Sequence, residues 1–164
     1  MVLSDNEIAR LIALPKTITN PRAREKQQKK SARINYSATA DGASFEVYVR
    51  QNLLVQDAFS CGLTYLHPSG EKVTLMRCNG GYHSHGNPLE GVDTIGVCCH
   101  IHIATQRYME AGRKPEHYAE PTDLFSDVNG ALVTLMEKCN ITGLSINTAN
   151  SAQHNLFSQS DDQP

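Results

Sequence analysis

The sequence predicts an α+β fold, in which one antiparallel sheet of about five strands carries an N-terminal and a C-terminal helix on one face. Apolar and polar residues alternate in five successive segments, and segments with helical spacing lie near both ends. Short links between the alternating segments favour antiparallel neighbours. We expect a single domain over residues 1–146 and a polar, disordered tail over residues 147–164, where Asn, Ser, Gln and Asp predominate.

The first helix is predicted to begin at Ser4. Ser4 is a suitable N-cap, and Glu7 stands three residues later, as a capping box requires. Ile8 and Leu11 begin an apolar stripe with helical spacing. Pro15 is expected to end the helix, because proline has no backbone N–H and clashes with the preceding turn.

Period-two alternation then predicts the strands. The five segments are residues 33–38, 45–50, 58–66, 72–78 and 94–103. Asp41 and Gly42 are a turn signal between the first two. After a polar, irregular loop, the second helix is expected to begin at Thr122 or Asp123 and to end near Asn140. Its apolar side chains recur at three- and four-residue steps, at Leu124, Val128, Leu132, Leu135, Met136 and Cys139.

Four of the seven histidines lie close together in the sequence, as two His-x-His pairs. His100 and His102 belong to the fifth strand and project from the same sheet face, roughly 7 Å apart. We expect this face to be open to solvent or to a partner. His83 and His85 lie in the loop just before, which can fold back over the strand.

Three interpretations of these histidines remain open. They are suitable ligands for zinc, at His83, His85, His100 and His102. They are also suitable as the acid and base of a metal-free reaction, with Arg107, Arg113 and Lys114 balancing the charge of a phosphate, and Tyr108 stacking on a base. The third interpretation is structural, with the imidazoles hydrogen-bonded across strands.

A basic segment precedes the first strand. Six bases and one acid lie within residues 22–33, although the whole chain has a formal charge of −2. The segment is either a solvated face or a contact with nucleic acid. The nucleic-acid interpretation uses Arg22, Arg24, Lys26, Lys29, Lys30 and Arg33, together with Tyr108, Arg113 and Lys114. We expect a cytoplasmic protein with no membrane contact, because we find no export signal, no membrane-spanning stretch and no disulfide framework among the five cysteines.

The second half of the chain resembles a group of uncharacterised bacterial and prophage proteins, the domain of unknown function numbered 6978. The resemblance covers roughly residues 75–141, and it is carried by the loop 83–88, the His100-Ile101-His102 strand, Tyr108, and the helix through Leu132 and Met136. It implies an origin in a phage or other mobile element and no established activity. A looser similarity, in layout alone, is to small ribonuclease-type toxins.

Two functional hypotheses follow. In the first, the protein is a toxin-like, metal-independent ribonuclease. His100 and His102, with His83 or His85, are its acid and base, and Arg107 contacts the phosphate. In the second, it is a non-enzymatic phage inhibitor that binds and blocks a host defence nucleoprotein complex, as anti-CRISPR proteins do. The partner is RNA in the first case and the nucleoprotein complex in the second, and the open sheet face also suits a homodimer.

Overall fold

The computed structural model describes residues 1–146, and it shows that the prediction of a five-strand α+β fold is wrong. The described chain is mostly sheet, with nine strands in one mixed sheet and three short α-helices. The predicted tail, 147–164, lies outside the described residues. The helices α1, α2 and α3 are Asp5–Ala13, Gln106–Glu110 and Val128–Lys138. The strands β1 to β9 are Lys16–Ile18, Lys26–Gln28, Ser31–Ala40, Ala43–Asn52, Phe59–Leu66, Lys72–Asn79, His100–Ile103, Ala119–Pro121 and Ile141–Thr142.

The strand order explains the difference between prediction and structure. The sheet runs β8-β7-β6-β5-β4-β3-β1-β9, with β2 paired to β3. The strands β3 to β6 are the predicted antiparallel meander, whereas β1, β2, β8 and β9 have only two or three residues each. Segments this short have no periodic pattern to detect. The pair β1 and β9 is parallel, so it makes the sheet mixed.

The histidine strand β7 is shorter than predicted. It covers only His100–Ile103, because residues 80–97 form a loop that includes a 3-10 turn at Pro88–Glu90. Gly96 in this loop has φ of 80°, which a continuous strand does not allow. The loop is held together by isolated bridges between Ser84 and Val97 and between Asn87 and Val92.

The apolar core lies between one face of the sheet and the helices α1 and α3. Ser4 caps α1 as predicted, because its side chain accepts a hydrogen bond from the Glu7 N–H at 3.2 Å. The second predicted helix is α3 of the structure, and its predicted start at Thr122 or Asp123 is wrong. The α3 N-cap is Asp127, whose carboxylate accepts from the Gly130 N–H at 2.7 Å. An aspartate in this position satisfies orphan N–H groups and complements the helix dipole.

A buried lysine joins the helices α1 and α3 to the strand β1. Lys16 is fully buried, and its Nζ donates to the backbone carbonyls of Ile12, Leu14 and Cys139 at 2.8, 2.8 and 2.9 Å. Burial lowers the pKa of Lys16 to about 8. Its three N–H donors therefore hold the end of α1 and the end of α3 against β1.

The opposite face of the sheet is polar and positions the candidate site. One cross-strand row on this face runs from β3 to β7 through paired residues. Its members are Arg33, Arg50, Ser60, Asn79 and His100. In the next row, Tyr48, Gly62, Arg77 and His102 are paired in the same way. The histidines of β7 thus share a continuous sheet face with arginines of β3, β4 and β6.

Candidate functional site

His100 and His102 project from the same face of β7, but this face is not open. Both side chains are 0% exposed, so the prediction of a solvent-facing histidine strand is wrong. The loop 80–97 covers them: the ring of His83 lies 5.6 Å from that of His100, and the ring of His85 lies 4.6 Å from that of His102. The covered face is therefore not available here to a second copy of the chain.

His102 is a neutral hydrogen-bond acceptor. Its Nε2 accepts from Arg77 Nη2 at 3.1 Å and from Asn79 Nδ2 at 3.2 Å, since a guanidinium can only donate. Burial, together with the positive charge of Arg77, lowers the pKa of His102 to about 2. His102 is therefore uncharged at neutral pH and cannot serve there as a general acid.

His100 also lies beneath the loop as a neutral ring. Its Nδ1 donates to the Cys98 carbonyl at 2.8 Å, which fixes the tautomer and leaves Nε2 as the acceptor. Asn79 Nδ2 faces that Nε2 at 3.5 Å. Burial lowers the pKa of His100. Both members of the predicted catalytic strand pair thus form the base of the site and have no solvent access of their own.

The loop residue His85 connects the buried pair to a second loop. Its Nε2 donates to the backbone carbonyl of His117 at 2.7 Å, and the two rings lie 5.2 Å apart. Burial lowers the pKa of His85. The loop 80–97 is fixed by Asn87, whose side-chain amide donates to the Ala119 carbonyl at 2.8 Å and accepts from the Ala119 N–H at 3.0 Å.

These elements enclose a pocket of about 460 Å³, which we call the histidine pocket. His83 is exposed, and His85 and His117 are partly exposed. Arg113 and Lys114 are exposed and make no ion pair within residues 1–146. Arg77 is paired with the buried Glu116 at 3.7 Å. The full lining consists of Arg77, Asn79, His83, His85, Arg113, Lys114, Glu116 and His117.

Four lining residues were not identified from the sequence. Arg77 and Asn79 pair directly with His102 and His100 across β6 and β7, so the strand register would have identified them. His117 and Glu116 come from a loop without local pattern. Nothing in the sequence around them indicates that they meet the histidines.

Tyr108 and Arg107, which were predicted to contact RNA beside the histidines, lie outside the pocket lining. Tyr108 is 0% exposed, so it cannot stack on a base as predicted. Its Oη donates to Glu90 Oε2 at 2.6 Å, and its ring stacks on His117 at 5.1 Å. Arg107 is paired with Glu90 and lies 5.2 Å over the ring of Tyr118. The stacked ring of Tyr108 therefore restricts the orientation of the His117 ring.

The basic segment contributes to a separate surface, which we call the basic groove. This groove measures about 840 Å³. Arg24, Lys26 and Arg33 line it, together with Arg50 and Lys72, which were not predicted. The predicted contacts Arg22, Lys29 and Lys30 are exposed and are not part of its lining.

The histidine donor atoms make other contacts in this arrangement. No group of three or more His, Cys, Asp or Glu side chains within residues 1–146 is placed to hold a metal. The Nε2 lone pair of His102 is directed at the Arg77 guanidinium, and the Nε2 of His85 carries the proton that it donates to a carbonyl. A cation beside the ligand atom opposes metal binding.

The fold and the pocket define a β-sheet protein with a neutral, buried histidine pair beneath a basic, histidine-lined pocket. The chain belongs to a family of unknown function, DUF6978, whose model matches residues 3–141. The family resemblance is thereby confirmed, over a longer stretch than predicted. No curated protein and no solved structure matches the chain, and the looser similarity to ribonuclease-type toxins has no support. No helix in the described range is both long and apolar enough to cross a membrane.

Proposed function

We propose that the protein is a small, metal-independent ribonuclease whose reaction takes place in the histidine pocket. One observation carries the proposal: three accessible imidazoles face the same pocket as two unpaired cations. Imidazoles exchange protons near neutral pH, and Arg and Lys side chains stabilise the charge of a phosphate in transit. This combination suits transfer of a phosphodiester in RNA.

The proposed reaction uses the 2′-hydroxyl of RNA as its nucleophile. One imidazole takes the 2′-hydroxyl proton while the 2′-oxygen bonds to phosphorus, and a second gives a proton to the departing 5′-oxygen. His85 is suited to be the base, because burial favours its neutral form. His83 or His117 then supplies the acid, and Arg113 and Lys114 stabilise the phosphorane.

This assignment differs from the roles expected from the sequence. His100 and His102 are fully buried, so we assign them to positioning and keep catalysis for the accessible rings. Arg107 is paired with Glu90, and the phosphate contact passes to Arg113 and Lys114. We also propose a cytoplasmic location and a mobile-element origin. The five free cysteines support a reducing compartment.

The decisive experiment is cleavage of a 5′-labelled, single-stranded RNA, followed on a denaturing gel. We expect His83→Asn combined with His117→Asn to lower the rate at least about 100-fold, the usual contribution of general acid–base catalysis. The matched control is His67→Asn, a histidine in the turn after β5 and outside the pocket lining. Equal rates in both variants would exclude the pocket as the site of reaction, and loss of activity in chelator would contradict the metal-independent mechanism.

A second candidate is the non-enzymatic inhibitor of a host defence complex. It is favoured by large apolar side chains exposed on the loop 80–97: Tyr82 at 58%, Leu89 at 44%, Val92 at 39% and Val97 at 68%. Exposed apolar side chains grouped on one loop are typical of protein contacts. Under this alternative, Leu89→Asp with Val97→Asp abolishes protection of phage from the defence system, while the His83 and His117 variants retain it.

A further inference from the structure

The basic groove and the histidine pocket lie on the same polar face of the sheet. Arg33 on β3 and Arg50 on β4 line the groove, and Asn79 on β6 lines the pocket. These residues belong to one cross-strand row, in which Ser60 on β5 separates Arg50 from Asn79. Strands lie about 4.8 Å apart, so Arg50 and Asn79 are separated by roughly 10 Å.

The exposed Arg50 lies against an aromatic ring of the same sheet face. Its guanidinium lies 4.8 Å over the ring of Tyr48, which is itself buried. Tyr48 occupies the space above Gly62, where a Cβ atom would lie 2.6 Å from the tyrosine Oη. Because residue 62 is a glycine, the Tyr48 ring can lie directly over it. The planar guanidinium of Arg50 packs on the Tyr48 ring, and Arg50 is exposed to solvent.

The charges of the groove favour a polyanion. Its basic lining residues are Arg24, Lys26, Arg33, Arg50 and Lys72. The one acid in its lining is Glu46, which is paired with Arg33 at 3.6 Å. Phosphate contacts by such side chains position a nucleic acid, and a planar guanidinium also provides a stacking surface for an unpaired base.

We propose that the basic groove binds single-stranded RNA that flanks the phosphate held in the histidine pocket. One base stacks on the Arg50 guanidinium, and the phosphates contact Arg24, Lys26 and Arg33. The strand crosses the sheet past Ser60 into the pocket. The RNA must be unpaired, because the face of a base is covered by its neighbours inside a duplex. This inference rests on the proposed function.

Binding is tested with a fluorescein-labelled, 2′-O-methyl RNA 12-mer, which has no 2′-hydroxyl nucleophile. We expect Arg33→Gln with Arg50→Gln to weaken binding about tenfold. The slope of log Kd against log salt should fall by about 0.7, because Arg33 is the phosphate contact of the two, and each phosphate of a single strand that is no longer neutralised lowers the slope by about 0.7. The matched control is Arg10→Gln with Lys138→Gln, which removes two exposed charges from α1 and α3.

A conservative variant separates stacking from charge. Arg50→Lys keeps the charge but loses the planar surface, so we expect weaker binding with an almost unchanged salt slope. The inference is overturned if the groove variants bind like the control pair, or if the unaltered protein does not bind the 12-mer.

Cleavage assays distinguish this inference from the proposed function. We expect the Arg33 and Arg50 double variant to lose kcat/KM on a 12-mer, but not on a dinucleoside monophosphate, which is too short to reach the groove. Groove-dependent binding without any cleavage would refute the ribonuclease and leave the RNA-binding groove standing. If the groove variants cleave both substrates as fast as the unaltered protein, the RNA-binding role of the groove is refuted and the ribonuclease proposal is not.

Discussion

The buried His102 is expected to make the protein sensitive to mild acid. Its Nε2 accepts from Arg77 and Asn79, and burial beside Arg77 lowers its pKa to about 2. In the unfolded chain, the same imidazole titrates near its ordinary value of 6.5. Between these two values, the unfolded state binds a proton that the folded state does not. The free energy of unfolding therefore decreases as the pH falls below about 6.5.

The size of the effect follows from the linkage between protonation and folding. For one such group, each pH unit below 6.5 lowers the free energy of unfolding by about 1.4 kcal/mol. His102 alone therefore lowers it by about 2 kcal/mol at pH 5. The pKa values of His100 and His85 are also lowered, and both add a loss of the same sign. A total stability of 5–15 kcal/mol is typical of proteins, so about 2 kcal/mol is easily measured.

The assay is urea unfolding of the unaltered protein and of His102→Gln at pH 7.5 and pH 5.0. Glutamine keeps an acceptor for Arg77 but does not titrate in this range. We expect the unaltered protein to lose about 2 kcal/mol more than the variant between the two pH values. Other acid-sensitive groups are common to both proteins and cancel. Equal losses would refute the neutral, buried state of His102.

Three further predictions follow from individual contacts. Lys16→Met leaves one buried and two partly buried carbonyls without their charged donor, so we expect a loss of at least about 3 kcal/mol in urea unfolding; a loss below 1 kcal/mol would contradict this. Tyr108→Phe removes the hydrogen bond to Glu90, for a loss of about 1–2 kcal/mol by the same measurement, and an unchanged stability would show that the bond has no net effect. Arg113→Gln with Lys114→Gln should lower RNA cleavage at least about tenfold while the urea midpoint stays within error, because both side chains are exposed; an unaffected rate would remove them from the reaction.

The sequence was sufficient to predict the centre of the sheet and the start of α1. The strand β3 alternates clearly between buried and more exposed side chains, and β4 does so at both ends. The burial of β5 and β6 alternates less regularly, and their pairing has an irregularity between Leu63 and Thr64. Ser4 and Glu7 form a local signal that needs no other part of the chain. The short strands β1, β2, β8 and β9 could not be predicted, because their pairing depends on partners distant in sequence.

The candidate site was only partly predictable for the same reason. Alternation correctly placed His100 and His102 on one face, and the loop with His83 and His85 does fold over them. Their burial depends on contacts that no local pattern encodes. Asn87, for example, bonds to Ala119, 32 residues away.

The proposed reaction is tested by mass spectrometry of the RNA fragments that the untagged protein releases in the presence of chelator. We expect a 2′,3′-cyclic phosphate on the upstream fragment and a 5′-hydroxyl on the downstream one, because the nucleophile is the neighbouring 2′-oxygen. Fragments ending in a 3′-hydroxyl and a 5′-phosphate would contradict it, since those ends require attack by water. RNA left intact by the protein would contradict it equally.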